Sequence, residues 1–372
     1  MTPAELSALN QQVLWAAFFI AAAFGALVQR TGFCTMGAVS DLAAMGDWTR
    51  MRQWALAAAV ATLGFALLSF GGLVRAPQTL YASQQWLWLS ALAGGGIFGF
   101  GMVLSSGCVS KTLVRVGGGS LKSLVVALVT GIAAFATLKG LTAVWRVHTV
   151  DRVAAEFAGN ADAATLLARG SGLSPEAAAL AAGLAIGGAL LAFSVASRES
   201  RRPVNLVAGT GVGLLVLCMF WVTGHLGHLA EHPETLEESW LATNSMRAEG
   251  LSFVAPTAFA LDWVMFFSDA SKRLTVGIVS VAGVVLGSAA MAAWRRSFRW
   301  EGFAGTPDLG HHLAGGVMMG VGGVTALGCS IGQGVTGLAT LSLTSLVAAT
   351  AMVAGAFGGV KYQMWRLEHD EG

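Results

Sequence analysis

Nine long apolar segments dominate this sequence and limit what it can fold into. A bilayer core of about 30 Å requires about 20 consecutive apolar residues in a spanning helix. Segments of this kind lie near 12–30, 53–74, 86–105, 121–145, 173–197, 204–223, 274–294, 311–328 and 341–362. Only 11% of the 372 residues are charged, whereas about 25% is usual for a soluble domain. The sequence therefore predicts an all-α polytopic membrane protein with about nine transmembrane helices.

Two longer polar stretches interrupt the apolar segments, and we interpret them as loops outside the membrane core. They lie near 146–172 and 225–272. The second contains His225, His228 and His232, which could bind a metal, although solvated loop histidines are the simpler interpretation. The N-terminal residues MTPAELSALNQQ contain no Lys or Arg, so they lack the basic region of a signal peptide, and we expect the first apolar segment to remain as a membrane helix.

The distribution of basic residues predicts how the chain is oriented. Lys and Arg are enriched in the cytoplasmic connections of membrane proteins. With the N-terminus outside, the inner connections hold 14 of the 22 basic residues: Arg30, Arg50, Arg52, Lys111, Arg115, Lys122, Arg198, Arg201, Arg202, Arg295, Arg296, Arg299, Lys361 and Arg366. This distribution predicts that the N-terminus lies outside and the C-terminus inside, and we expect the membrane to be the bacterial inner membrane.

Two of the apolar segments form an internal repeat. Residues 92–108 read LAGGGIFGFGMVLSSGC and residues 313–329 read LAGGVMMGVGGVTALGC, with nine of 17 positions identical. Downstream, LKSLVV at 121–126 resembles LTSLVA at 343–348. Close helix packing through small residues, as in Gly316-xxx-Gly320, would explain the shared glycines. It explains neither the shared cysteine nor the shared downstream segment.

The two copies of the repeat run in opposite directions in the predicted orientation. The copy that ends at Cys108 runs from outside to inside, and the copy that ends at Cys329 runs from inside to outside. Inverted repeats are typical of transporters whose binding site lies where the halves meet. We therefore divide the chain into three parts: a first inverted repeat over 1–150 with Cys34 and Cys108, a connecting loop and linking helix over 151–203, and a second inverted repeat over 204–372 with the outer loop 225–272 and Cys329.

Short glycine-rich pieces follow the repeated cysteines. They read VSKTLVRVGGGS after Cys108 and SIGQGVTGLATLS after Cys329. Both are too short and too polar to span a bilayer, so we expect re-entrant half-helices, which are tolerated in the protein interior or beside a water-lined cavity. The N-terminus of such a helix offers free N–H groups that favour an anion. A third candidate, TGFCTMGAVSD at 31–41, contains Cys34.

The chemistry of a neutral thiol points to a soft anion. Its S–H group is a weak donor and its sulfur is polarizable, which suits a large sulfur-bearing anion better than a small hard one. The four cysteines form no CxxC pair, so neither a disulfide framework nor a zinc site is indicated. Cys218, inside LLVLCMFW, is interpreted as a packing residue.

The motifs resemble the signature stretches of the YeeE/YedE family. They are CTMGAVSD after Arg30, GCVSKTLVRVGGGSLKSLVV and GCSIGQGVTGLATLSLTSLV. The resemblance implies import of thiosulfate or a related sulfur-containing anion past three cysteines, and it suggests a small cytosolic sulfurtransferase as a partner. Some members of the family handle other sulfur or selenium compounds. The pathway residues expected in this chain are Cys34, Gly107, Cys108, Ser110, Gly328, Cys329 and Gln333.

Two other functions would also use the cysteines. A membrane thiol oxidoreductase or sulfurtransferase would form persulfides on Cys108 or Cys329, but the sequence has no CxxC pair and no flavin or quinone signature. A metal site would need cysteines that converge on one point, whereas the repeat places these two on opposite sides. We therefore expect a transporter without catalytic residues, cofactor or metal, embedded in a lipid bilayer and without a nucleic-acid partner.

Overall fold

The computed structural model describes residues 2–233 and 235–370, the last of these by its backbone alone. The N-terminal part contains α1 (Pro3–Thr31), α2 (Thr35–Met45), α3 (Thr49–Phe70), α4 (Trp88–Leu104), α5 (Val109–Gly117) and α6 (Leu121–Lys139). The middle contains α7 (Leu141–His148), α8 (Ala163–Ser171) and α9 (Pro175–Val195). The C-terminal part contains α10 (Pro203–Trp221), α11 (Val254–Met265), α12 (Val276–Trp294), α13 (Thr306–Thr325), a short helix over 330–339 and α14 (Leu343–Asp370).

Eight helical stretches in the described residues are long and apolar enough to cross a membrane. This confirms the all-α polytopic fold. The segment predicted near 311–328 lies in α13, which is 20 residues long and so spans about 30 Å at 1.5 Å per residue. It falls outside the eight because Asp308, His311 and His312 make its first turns polar. The Thr2–Glu5 capping box starts α1 earlier than the apolar run alone predicted.

Two short strand pairs connect loops at one end of the bundle. β1 (Gln85–Trp86) pairs with β2 (Ala155–Glu156), and β3 (His228–Leu229) pairs with β4 (Ser239–Trp240), both antiparallel. We call this end the N-terminal face, because α1 begins and α3 ends there. The opposite end, where α14 ends, is the C-terminal face. The loop histidine His228 lies 2.8 Å from a carboxylate oxygen of Glu238.

The two copies of the repeat pack against each other through glycines. A Cβ atom on Gly94 of α4 would lie 2.5 Å from the backbone nitrogen of Ala326, and one on Gly101 would lie 2.9 Å from the carbonyl oxygen of Gly315. Real Cβ atoms do not approach so closely, so only glycine permits this contact. Residue numbers increase along α4 while the numbers of the residues that they contact in the other copy decrease. The two helices are therefore antiparallel.

The remaining helix contacts are reciprocal between the two halves. α4 packs on α14, and its counterpart α13 packs on α6; likewise α1 packs on α12, and α10 packs on α3. The short helices follow the same rule. α2 contacts α14, and its counterpart α11 contacts α6; likewise α5 contacts α12, and its counterpart over 330–339 contacts α3. Such exchange is what two inverted repeats predict. The division at 150 and 204 remains a prediction.

Residues 225–272 are more than the outer loop that we predicted. Within them, α11 packs against α6, α12 and α13, and Phe253 and Val254 at its start are fully buried. The apolar stretch LSFVAPTAFALDWVMFF that forms it is shorter than a membrane span and contains Pro256 and Asp262. Tertiary packing in the bundle stabilises this short helix, which its length alone would not. The stretch 146–172 contains the end of α7, β2 and α8.

Candidate functional site

Each of the three motif cysteines precedes a short helix in the protein interior. Cys34 is the N-cap of α2, where its Sγ accepts a hydrogen bond from the Gly37 N–H at 3.4 Å. Cys329 precedes the helix over 330–339, and its Sγ accepts from the Gly332 N–H at 3.3 Å. A side chain that accepts from the first turn satisfies one of the free N–H groups of a helix start. Because the Cys329 sulfur acts as an acceptor, its S–H group remains available to donate to an anion.

Cys108 is the N-cap of α5 and lies between the other two cysteines. Its Sγ is 3.2 Å from the Ser110 hydroxyl, and its thiol interacts with that of Cys34. Ser330 lies beside it, and Cys329 is within electrostatic range. Cys108 and Cys329 are 1% and 0% exposed. The structure thus brings the three cysteines into one row, in which Cys108 and Cys329 are buried and Cys34 is half-buried. The expectation that Cys108 and Cys329 lie on opposite sides was wrong, because the turns that hold them meet in the interior.

Cys218 lies apart from this row. It is exposed on α10, which in a membrane places it toward lipid.

The two Gly-Cys turns have the same backbone geometry. Ser106 and Leu327 both adopt left-handed φ angles, of 56° and 60°. In the next positions, the Gly107 N–H donates to the Met102 carbonyl oxygen at 2.8 Å, and the Gly328 N–H donates to that of Gly323 at 2.8 Å. Each turn is therefore a Schellman-type helix end, which stops α4 and α13 directly before the cysteine.

Several buried donors beside the cysteines have no hydrogen-bond partner in the described part of the chain. They include the hydroxyls of Thr35 and Ser330, each of which directly follows a cysteine, and the indole N–H of Trp54. The Trp54 ring lies against Gly334 of the helix over 330–339. An unpaired buried donor is costly and is usually satisfied by water or a ligand. These groups add donors that an anion could use.

Lys111 places a positive charge beside the cysteines. It lies one turn into α5 and interacts electrostatically with Cys34 and Cys108. Arg50, at the start of α3, pairs with Asp41 of α2 at 3.2 Å. No carboxylate forms an ion pair with Lys111 in residues 2–233 and 235–370. Sequence reasoning missed this residue, although its position three residues after Cys108 places it one helical turn away.

Gln333 ties the second Gly-Cys turn to its surroundings. It is 1% exposed, donates through Nε2 to the carbonyl oxygen of Ala326 at 2.7 Å, and accepts from the Ser345 hydroxyl at 2.5 Å. A Cβ atom on Gly328 would lie 3.2 Å from the Gln333 Cγ, so glycine suits this tight position. Gln333 therefore holds together α13, the short helix and α14.

A cavity at the N-terminal face, which we call the vestibule, leads to this second turn. Its volume is about 330 Å³, and its lining includes Tyr81, Arg146, Glu249, Gly328, Gln333 and Ser345. Burial raises the pKa of Glu249. Burial also raises the pKa of Tyr81, together with the nearby negative charges of Cys329 and Glu249 in their ionised forms. Tyr81 is therefore close to both residues.

A second cavity at the C-terminal face reaches the first turn. Its volume is about 260 Å³, and Ser106, Asp308, His311, His312 and Arg366 contribute to its lining. The Nδ1 atom of His312 lies 2.9 Å from a carboxylate oxygen of Asp308. Each Gly-Cys turn thus borders a cavity at a different face, and the cysteine row lies between the two cavities.

Comparisons with known proteins find named transporters that are similar to this chain. The thiosulfate transporter TsuA of Escherichia coli (strain K12) is 28% identical over 346 residues, which are 90% of this chain and 90% of that protein. TsuA of Spirochaeta thermophila is 27% identical over 353 residues, which are 92% of this chain and 97% of that protein. The probable transporter YedE of E. coli is 30% identical over 112 residues, which are 30% of this chain and 26% of that protein.

The family described as sulphur transport matches residues 30–358. That range contains all three cysteine motifs and both copies of the inverted repeat, and it confirms the resemblance to the YeeE/YedE family that the motifs predicted. This multi-pass membrane protein therefore belongs to the sulphur transport family.

Proposed function

We propose that this protein imports thiosulfate, or a related sulfur-containing anion, along the row formed by Cys329, Cys108 and Cys34. Membership of the sulphur transport family identifies the chain as a transporter rather than an enzyme. Two similar proteins that each align with 90% or more of this chain are named thiosulfate transporters. The observation that carries the proposal is the row of three thiols, each at the start of a buried helix and placed between two cavities.

The chemistry of the row suits an anion with both oxygen and sulfur atoms at its ends. Free N–H groups at helix starts and the hydroxyls of Thr35 and Ser330 are hard donors that suit oxygen. The thiols of Cys108 and Cys329 are softer and suit a terminal sulfur. A site with both kinds of donor distinguishes thiosulfate from sulfate, which has only oxygen atoms.

The anion would pass from the vestibule to the C-terminal face. It would leave the Gly328–Cys329 turn, pass Ser330 to Cys108, and then meet Cys34 and the charge of Lys111. Because these donors are neighbours, the anion would move in short steps. In each step it would gain a new hydrogen-bond partner as it loses the previous one. The positive charge at the end of the row would attract a dianion toward the C-terminal face.

The proposal includes an orientation and a partner. The N-terminal face would lie outside the inner membrane, as the basic residues predict, and a small cytosolic sulfurtransferase would receive the anion at the C-terminal face. Ser83 and Ser297 are exposed at opposite faces. Ser83→Cys should react with a membrane-impermeant thiol reagent added to intact cells, and Ser297→Cys should not. The reverse result would reverse the orientation.

Uptake into liposomes that contain only this protein tests the function. Labelled thiosulfate should enter these liposomes faster than protein-free liposomes, and excess unlabelled thiosulfate should compete better than sulfate. Equal competition by sulfate would reject selectivity for a terminal sulfur. A rate no higher than that of protein-free liposomes would reject transport of thiosulfate.

A further inference from the structure

Glu249 is an acidic side chain in the wall of a cavity that must admit an anion. It lines the vestibule together with Tyr81 and Gln333. Its backbone is fixed by Thr223, whose hydroxyl donates to the Glu249 carbonyl oxygen at 2.7 Å and accepts from its N–H at 3.1 Å. Its carboxylate Oε1 accepts from the backbone N–H and the hydroxyl of Ser245, at 2.8 and 2.5 Å. The carboxyl group is therefore held in a defined position.

The charged groups around the vestibule do not neutralise Glu249. Arg146 of α7 pairs with Asp151 at 3.4 Å, and Arg247 donates to the carbonyl oxygen of Ala82 at 2.7 Å. In the described ranges no cation forms an ion pair with Glu249. The other side chains that face the vestibule are uncharged at neutral pH. They include Tyr81 before β1, Asn244 in the loop that contains Glu249, Phe259 of α11, Ser280 of α12, Gln333 of the short helix and Ser345 of α14.

An ionised Glu249 would oppose the substrate of the proposed transport. Two like charges in a cavity of low effective dielectric repel more strongly than in water, and a dianion doubles the effect. The neutral carboxylic acid removes this repulsion and gains an O–H group that can donate to the anion. Burial raises the pKa of Glu249, so the neutral form persists to a higher pH than for an exposed carboxyl group.

We propose that Glu249 is the proton-binding residue of a proton-coupled transport cycle. The inference rests on the proposed function. The Glu249 carboxylate takes up one proton from the N-terminal side when the anion occupies the vestibule. It releases that proton toward the C-terminal side once the anion has passed the Gly328–Cys329 turn, and the carboxylate is restored. Tyr81 lines the vestibule with Glu249 and lies within electrostatic range of both Glu249 and Cys329.

Proton coupling also lowers the electrical cost of import. A dianion that enters a compartment of negative potential moves against that potential with two charges. Each proton that crosses with it reduces the net charge moved by one. A residue that carries one proton per dianion would therefore halve the electrical cost of import.

The wild-type protein in liposomes tests the coupling. With a pH-sensitive dye inside and a more acidic solution outside, thiosulfate should acidify the interior above the passive leak. The initial uptake rate should fall by up to about tenfold for each unit of outer pH above the pKa of the carboxyl group, because the protonated fraction falls by that factor. Normal uptake without interior acidification would overturn the inference and leave the proposed function intact. Absence of uptake would reject both.

A pair of variants assigns the proton to Glu249. Glu249→Gln keeps the neutral form, so it should exchange labelled for unlabelled thiosulfate at every outer pH but lose interior acidification and the pH dependence of uptake. Glu237→Gln removes an exposed carboxyl group in the preceding loop and should retain both. Loss of exchange in Glu249→Gln, or a pH response equal to that of the wild type, would contradict the assignment.

Discussion

Cys34 and Cys108 interact through their thiols although α2, α3 and α4 lie between them in the chain. Each caps a short helix, α2 or α5, and the two helix starts meet in the half of the bundle nearer the C-terminal face. The second half has no equivalent pair, because Phe253 and Val254 occupy the start of α11, the counterpart of α2. The inverted repeats thus build a symmetric scaffold whose three motif cysteines are distributed two to one.

The glycine contact between α4 and α13 should be sensitive to a single methyl group. A Cβ atom on Gly322 would lie 2.5 Å from the Phe98 backbone nitrogen, so we expect Gly322→Ala to destabilise the protein by about 1–3 kcal/mol through overpacking. Thermal unfolding in detergent measures this. Gly96→Ala on α4 is the matched control, because nothing lies within 4 Å of its added Cβ atom. Equal unfolding temperatures for both variants would contradict the close contact.

Removal of a thiol from the row should abolish uptake without unfolding the protein. Alanine at Cys108 or Cys329 keeps a small apolar side chain but removes the S–H donor from a buried position. We expect both substitutions to abolish thiosulfate uptake in liposomes while expression and unfolding temperature stay close to wild type. Cys218→Ala is the control and should be nearly neutral, because Cys218 is exposed on α10. Equal damage in all three variants would refute a special role for the row.

The sequence predicted the helices and the repeat, but not the distances between side chains. Apolar runs of about 20 residues identify membrane helices because the bilayer thickness fixes their length, and the identity between 92–108 and 313–329 revealed the duplication. α11 escaped detection because it is shorter than a span and its stability comes from packing on α6, α12 and α13. Lys111 was not predicted as a site residue, because the sequence analysis counted it among the basic residues of the cytoplasmic connections. Only the fold shows that this charge lies beside Cys34 and has no carboxylate partner in the residues described.

Lys111 should set the affinity for the anion. Lys111→Gln keeps a polar side chain of similar reach but removes the charge beside Cys34 and Cys108. Loss of a charge-assisted contact costs about 1.5–3 kcal/mol, so KM should rise by about tenfold to a hundredfold. Lys111→Arg should restore part of the affinity.

Lys122→Gln provides the control for the charge itself. Lys122 pairs at 2.7 Å with the half-exposed Glu301 near the C-terminal face, so its positive charge is already matched by a carboxylate. Initial uptake rates over a range of thiosulfate concentrations give KM for each variant. If Lys111→Gln and Lys122→Gln raise KM equally, the effect is one of overall charge and not of the site.

Serine at Cys108 or Cys329 separates a requirement for sulfur from a requirement for any small donor. A hydroxyl keeps the shape and donates a hydrogen bond, but it is less polarizable and suits oxygen better than a terminal sulfur. Loss of one matched hydrogen bond in a dry passage costs about 1–3 kcal/mol, which slows a rate-limiting step by about tenfold to a hundredfold. We therefore expect either Cys→Ser variant to reduce initial thiosulfate uptake at least about tenfold, with a smaller effect on any sulfate leak measured in parallel. Near-normal thiosulfate uptake by both serine variants would show that these cysteines only pack, and selectivity for sulfur would have to arise elsewhere.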